Sequence, residues 1–359
     1  MSRSQLTVTE RVARRDMIMA VAGVAAFAIL GAVTASLAAR EGLHEAWLAL
    51  AAVPAGLLLR HRPVLVGLCI AAGGFWLRWV LAVIPETADQ LVVGRAALDT
   101  VLAGGNPYGI GYAVSEPPGS PYVYGPLALL TSALRVPGEV LAATGTMVLL
   151  ALTRSFLTLG IFAGFLFVAL LGTSGINDMV PGFLLMAGLL TLERHPIAGG
   201  VLLAVAAAVK PYALAWFPAA MGYGGVAAAV ALVGVTSILW SPLLAWGPAS
   251  FLRSVEMAAA VHAEPANSLN MPALRILAAP IALASLLVRR WSLMVLSGAA
   301  IFLVVLFLDR WASYGYWLVV LPILGMAAER WLRERAARST PRGPLWPLRR
   351  PSAPPPSGG

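Results

Sequence analysis

The sequence predicts an all-α membrane protein, a polytopic helical bundle of about ten to twelve transmembrane helices. Three observations carry that prediction. Apolar residues make up 59% of the 359 positions and charged residues only 11%, where soluble proteins average about 45–50% and about 25%. Mean hydropathy is +0.82. The apolar runs are unbroken Ala, Leu and Val, not the period-two alternation of an outer-membrane barrel. So few charges cannot cover a water-facing surface, which excludes a soluble enzyme and a disordered chain. The lone Cys69 lies inside an apolar run and leaves no disulfide framework, thiolate metal cluster or CxxC pair.

Each span has its own punctuation. The run near 17–39 follows a basic segment, residues 1–16. It exceeds the 7–15 residues of a signal-peptide core, so it reads as an uncleaved anchor despite the small residues Ser36-Leu37-Ala38. Runs near 43–59 and 63–84 come next, parted by Arg60-His61-Arg62. The longest non-spanning segment, 85–137, then intervenes. Beyond it lie runs near 137–153, 155–172, 179–192, 196–209, 211–222, 225–246, 272–288, 291–308 and 314–328, which close the 17–328 bundle. Residues 329–359 are basic and Pro-rich and read as a disordered tail.

Alternating these spans from a cytoplasmic N-terminus sorts the charges. Arg3, Arg11, Arg14, Arg15, Arg60, Arg62, Arg154, Arg194, Arg289, Arg290 and the tail arginines fall inside, most of the 25 basic residues. Of the acids, Glu10, Asp16, Glu193, Glu329 and Glu334 fall inside and the rest outside. The net charge of +9 therefore expresses topology and contact with anionic lipid, not nucleic-acid binding. Both termini are expected in the cytoplasm, with the chain spanning the membrane many times.

The polar residues gather on the outer side, where a bundle that only sits in lipid would need few. The 85–137 loop opens with Glu86-Thr87-Ala88-Asp89. An amphipathic helix over Gln90–Ala103 follows, with Arg95 and Asp99 four apart and Gly104-Gly105 as a left-handed cap. Asn106-Pro107-Tyr108 and Pro117-Pro118-Gly119 are turns, and Tyr122-Val123-Tyr124-Gly125-Pro126 returns to the bilayer. Spacing alone leaves Asp89 open between a helix N-cap and a catalytic base. A second cluster, Thr173 to Met179, carries Asn177 and Asp178, and Asp178 is also readable as a cap. Lys210 is the only lysine. Snorkelling would explain it, whereas a cation there without a partner nearby in sequence favours a bound anion such as a lipid phosphate. Arg275, the isolated His262, Asn267-Ser268 and Arg310 complete the outer set. No HExxH, Walker loop, GxSxG or GxGxxG with a following acid occurs.

In ordered set, these segments resemble the GT-C class of integral-membrane glycosyltransferases. They look most like the actinobacterial α-mannosyltransferases that use polyprenyl-phosphate-mannose. The resemblance runs from Asp89 through Gly104-Gly105-Asn106-Pro107-Tyr108 to Tyr124-Gly125-Pro126-Leu127, with Gly125 where the pattern commonly has proline. It continues through Asn177-Asp178, Ala198 to Leu202, Lys210-Pro211, Asn267-Ser268-Leu269 and Ser313-Tyr314. It implies a sugar donor borne on polyprenyl phosphate, a lipid or glycan acceptor, membrane lipids as surroundings and no nucleic acid. Asp89 would be the general base of an inverting transfer on the outer face. Lys210, and behind it Arg275 and Arg310, would meet the leaving phosphate. Asn177 and Asp178 would hold hydroxyls. Tyr108 and Tyr124, equally readable as interfacial anchors, join the substrate-binding set. No cofactor is firmly implied, although the class admits a divalent cation; no metal ligand set is evident. The alternative is a secondary transporter or flippase of a lipid-linked or small polar substrate. That class commonly places its charges near the bilayer midplane.

Overall fold

The computed structural model describes residues 8–86, 88–116, 118–261, 269–309 and 313–338. The calls on Thr87, His262, Asn267, Ser268, Arg310 and the tail from 339 onward lie outside the described residues. Among the described residues the architecture is all-α apart from one short antiparallel pair, Gly111–Tyr112 with Ser120–Pro121. Four helices are long and apolar enough to cross a bilayer: Ala13–Arg40, Pro63–Leu81, Arg135–Leu152 and Pro211–Trp246. Shorter apolar helices stand beside them at His44–Leu58, Met179–Thr191, Pro196–Val209, Pro272–Ser285 and Trp291–Phe307. The last described helix, Tyr316–Arg338, continues through 329–338, so the part of the expected disordered tail that is described is helical instead. The expected spans are thus not all present as uninterrupted helices of membrane length.

The interruptions have physical causes. The expected run 155–172 is two helices, Phe156–Gly164 and Leu166–Leu171, parted by an extended Phe165 (φ −74°, ψ 118°). Such a break frees carbonyls that must be satisfied where no water reaches. Arg78, fully buried on the Pro63–Leu81 helix, donates to the carbonyls of Phe162 at 2.6 Å and Ala163 at 3.1 Å. Thr34 Oγ1 donates to Gly164 O at 2.7 Å. The Arg78 guanidinium also lies 5.0 Å from the centre of the Phe162 ring, so a helix end and an aromatic face engage this buried charge, while its Nε has no partner among the described residues. The 36-residue stretch Pro211–Trp246 is likewise two legs. Gly225 breaks it at φ 66°, a conformation that costs a residue with a β-carbon. This break falls where the separate runs 211–222 and 225–246 predicted one.

One hydrophobic core runs through the bundle, from Phe27 past Ile70, Met147 and Leu189 to Trp216 and Phe302. A second, smaller core lies under the 85–137 segment, where Val93, Ala97, Tyr108, Tyr122 and Leu129 pack with Val209. That segment is therefore folded onto the end of the Pro196–Val209 helix. Its helix spans Gln90–Leu102 and Gly104 follows with the expected positive φ of 80°. One expectation fails there. Arg95 does not pair with Asp99 but bonds both carboxylate oxygens of Glu86, at 3.1 and 3.2 Å. The preceding chain folds back across the helix and brings Glu86 into reach.

Among the described residues the ion pairs fall into two groups. Arg154–Asp16, Arg330–Glu193 and Arg330–Glu334 join residues assigned to cytoplasmic segments, and Arg95–Glu86, Lys210–Asp178 and Arg275–Asp309 join residues assigned to outer ones. No pair joins the two groups.

Candidate functional site

The site grows from three chain turns that meet at one end of the bundle. Lys210 closes the Pro196–Val209 helix with an extended backbone (φ −133°, ψ 124°). Pro211 follows and disfavours helical geometry in the residue before it. The side chain consequently turns inward and is 4% exposed. Its Nζ donates to Asp178 Oδ1 at 2.7 Å and Gln90 Oε1 at 3.0 Å. It also lies 5.0 and 5.7 Å from the ring centres of Tyr124 and Tyr212.

Asp178 occupies the N-cap position of Met179–Thr191 without capping it. Instead Oδ1 accepts from both Lys210 Nζ and the Tyr212 hydroxyl, the latter at 2.9 Å. The capping role passes to Glu139, buried on the Arg135–Leu152 helix, whose Oε2 accepts the Met179 N–H at 2.7 Å. An acceptor supplied by a neighbouring helix thus satisfies the first orphan donor and leaves Asp178 for the lysine. Among the described residues, Asp178 Oδ2 and both amide atoms of Asn177 are buried without a partner. Burying such atoms unpaired costs free energy, so hydrogen-bonding capacity is left over at this point of the fold.

Asp89 is brought here by backbone bonds. Ala88 N–H donates to Ser174 O at 2.8 Å and Leu91 N–H to Gly175 O at 2.9 Å, stitching the start of the outer helix to the Thr173–Met179 turn. Gln90, the next residue, accepts from Lys210 Nζ and, at 3.4 Å, from the Asn177 N–H. The Asp89 side chain does not cap its helix. It is half-buried, and among the described residues no ion pair engages it. The capping reading of Asp89 thus has no side-chain hydrogen bond behind it.

The return segment supplies the fourth wall. Gly125 N–H donates to Val209 O and Leu127 N–H to Ala208 O, each at 3.0 Å. A β-carbon on Gly125 would collide with the Ala208 carbonyl, and a proline could not donate the first bond. That accounts for glycine where the resemblance leads one to expect proline, and the close approach sets Tyr124 over Lys210. Burial first, then the charges of Asp89 and Asp178, hold the Tyr124 hydroxyl well above its ordinary pKa. It is therefore a neutral donor at physiological pH.

Of the residues singled out in the sequence, Asp89, Asn177, Asp178, Lys210 and Tyr124 come together. Three expectations need correction. Lys210 is not a partnerless cation, because Asp178, 32 positions away, neutralises it. Tyr108 is 2% exposed and belongs to the smaller core, where its hydroxyl donates to Tyr124 O and its ring packs on Tyr122, Trp246 and Phe251. It supports Tyr124 from behind and is closed to a substrate. Arg275 pairs with Asp309 at 2.8 Å instead of standing at the lysine. Sequence reasoning gave Gln90, Glu139 and Tyr212 no role in the site. Glu139 carried a usable signal, a lone acid in an otherwise apolar run.

Beside Tyr212, a groove of about 380 Å³ opens between the Pro211 turn and the helices that follow. Pro211, Ala215, Pro218, Ala282, Phe302 and Leu306 help line it. Among the described residues no three His, Cys, Asp or Glu side chains converge as a resident metal would require, so no step is assigned to one. No family model, curated protein or solved structure matches the chain.

Proposed function

We propose that the protein is a membrane glycosyltransferase of the GT-C kind. It moves a sugar, mannose by resemblance, from polyprenyl phosphate to a lipid or glycan acceptor on the outer face. The observation that carries this reading is a half-buried carboxylate, Asp89, which makes no ion pair among the described residues and whose charge, like that of the buried and neutralised Asp178–Lys210 pair, reaches Tyr124. A free carboxylate next to fixed polar partners is what deprotonation of an acceptor hydroxyl needs.

In this mechanism Asp89 takes the acceptor proton as the oxygen attacks the anomeric carbon. The bond to the phosphate oxygen breaks and the phosphate departs with inversion at carbon. Lys210 has three N–H donors, of which Asp178 and Gln90 take two. The third is assigned to the phosphate, where developing charge strengthens the bond. Tyr124, partly exposed over Lys210, receives sugar hydroxyls in front of the fully buried Asn177 and Asp178, and the apolar groove beside Tyr212 receives the prenyl chain. Both termini are cytoplasmic in this reading, which the arginine-rich segments at each end of the sequence support.

The test is an Asp89→Asn variant in membranes supplied with labelled polyprenyl-phosphate sugar. Transfer is expected to fall by about 10²–10⁴-fold at normal expression. Undiminished transfer would remove Asp89 as the base. One observation favours a second reading: Glu139 buried beside an ion pair within the bundle is also what a proton-coupled transporter carries. Substrate counterflow in vesicles without covalent product would establish that reading instead.

A further inference from the structure

We propose that the arginine-rich end of the bundle, opposite the Lys210 site, is a binding site for an anionic phospholipid. Three guanidiniums from three parts of the chain form one network there. Arg15, on the first helix, donates to Leu332 O at 2.9 Å. Arg333, on the last helix, donates to Arg154 O at 2.6 Å and Thr153 O at 2.8 Å. Arg154 in turn bonds Asp16 at 2.5 Å. Arg15 and Arg333 thus lean on helix-end carbonyls, and among the described residues Asp16 is the carboxylate that bonds one of the three.

Among the described residues, the hydrogen bonds of the other acids nearby go elsewhere, although the charge of Glu329 reaches Arg333. Glu329 spends Oε1 on the N–H and hydroxyl of Thr158, at 2.7 and 2.6 Å. Glu193 and Glu334 both bond Arg330. Arg14 and Arg335 are exposed and add further positive charge. Burial holds the Arg333 pKa below its ordinary value against the opposing charges of Glu329 and Asp16, and Arg15 and Arg330 add smaller contributions in the same downward direction. Crowded cations with few acids make a site for an anion, and a planar guanidinium suits phosphate oxygens.

The surroundings choose a lipid over a free ion. Ile18, Leu152, Trp331 and Leu332, neighbours of these arginines along the chain, are 55, 57, 48 and 45% exposed. Trp331 carries Arg335 over its ring at 5.3 Å. Tryptophan and arginine together at the limit of an apolar helix mark the headgroup level of a bilayer. An acyl chain would cover the exposed apolar side chains while the phosphate meets Arg15 and Arg333. A soluble phosphate would leave them bare.

The experiment uses the full chain in phosphatidylcholine nanodiscs, with phosphatidylglycerol or inorganic phosphate added and thermal unfolding and retained lipid both measured. Phosphatidylglycerol is expected to raise the unfolding temperature and remain bound, while phosphate does neither. An Arg15→Gln/Arg333→Gln double variant should weaken phosphatidylglycerol binding by at least about tenfold. Should that variant fail to fold, Trp331→Ser/Leu332→Ser alters only exposed side chains and should weaken lipid retention as well. Equal retention of both lipids by the native chain, unchanged binding in whichever variant folds, or an equal shift with phosphate alone would overturn the proposal. The glycosyltransferase reading is untouched by any of these outcomes, since its residues lie at the other end.

Discussion

At the scale of single residues, the site turns on where one carboxylate spends its bonds. An aspartate at a helix N-terminus ordinarily caps that helix, and Asp178 does not because Glu139 does it in its place. The consequence is a buried ion pair, 5 and 0% exposed at its two side chains. Such a pair is costly to break from one side, since the survivor is left charged and dry. Lys210→Met is therefore expected to destabilise the protein by about 3–5 kcal/mol. Adding Asp178→Asn should restore most of that loss, because an amide tolerates the site without a counter-charge. Thermal unfolding of the full chain in detergent measures both. If the double variant melts no higher than Lys210→Met alone, the pairing does not govern stability here.

Elements meet through backbone as much as through side chains. The return segment lies so close to the Pro196–Val209 helix that its contact at Gly125 excludes a β-carbon. Overpacking at such a contact typically costs about 1–3 kcal/mol. Gly125→Ala is thus expected to loosen residues 121–127 and lower activity together, with hydrogen exchange reporting the first. Protection equal to the native chain would show that the segment is held by other contacts.

At the opposite end, the turn after Met179–Thr191 is tied to the last helix by Glu193 and Arg330, 2.5 Å apart. The hydrogen bond from Arg330 holds the Glu193 pKa below its ordinary 4.5. A depressed carboxylate pKa contributes stability above the unfolded value, and the contribution disappears as pH falls through the folded value. The loss should therefore appear below about pH 4.5 and stay small, because the pair is partly exposed. A Glu193→Gln chain should lack this increment of pH dependence. An identical slope in the variant would assign the effect to other carboxylates.

For the molecule as a whole, the arrangement of charge predicts sidedness. In a Cys69→Ala background, a cysteine at Glu116 should react with a membrane-impermeant maleimide in intact cells. One at Arg194 should react only after the membrane is opened. Both positions are exposed, so access to the reagent is limited only by the bilayer. Labelling of Arg194→Cys in sealed cells would invert the topology and move the proposed active site to the wrong face.

The sequence by itself determined that this is an all-α protein with membrane-length apolar helices, where its turns fall, and that its polar residues cluster beside them. Those properties follow from local composition measured against the thickness of a bilayer, and local composition needs no partner. It also pointed to Asp89, Asp178 and Lys210 one by one. Only the tertiary structure decided that Lys210 is neutralised by Asp178, that Glu139 releases Asp178 to do so, that Tyr108 is core while Tyr124 is wall, and that the fifth expected span is broken over Arg78. Each of those facts joins side chains many positions apart, through helix packing that composition and periodicity do not encode.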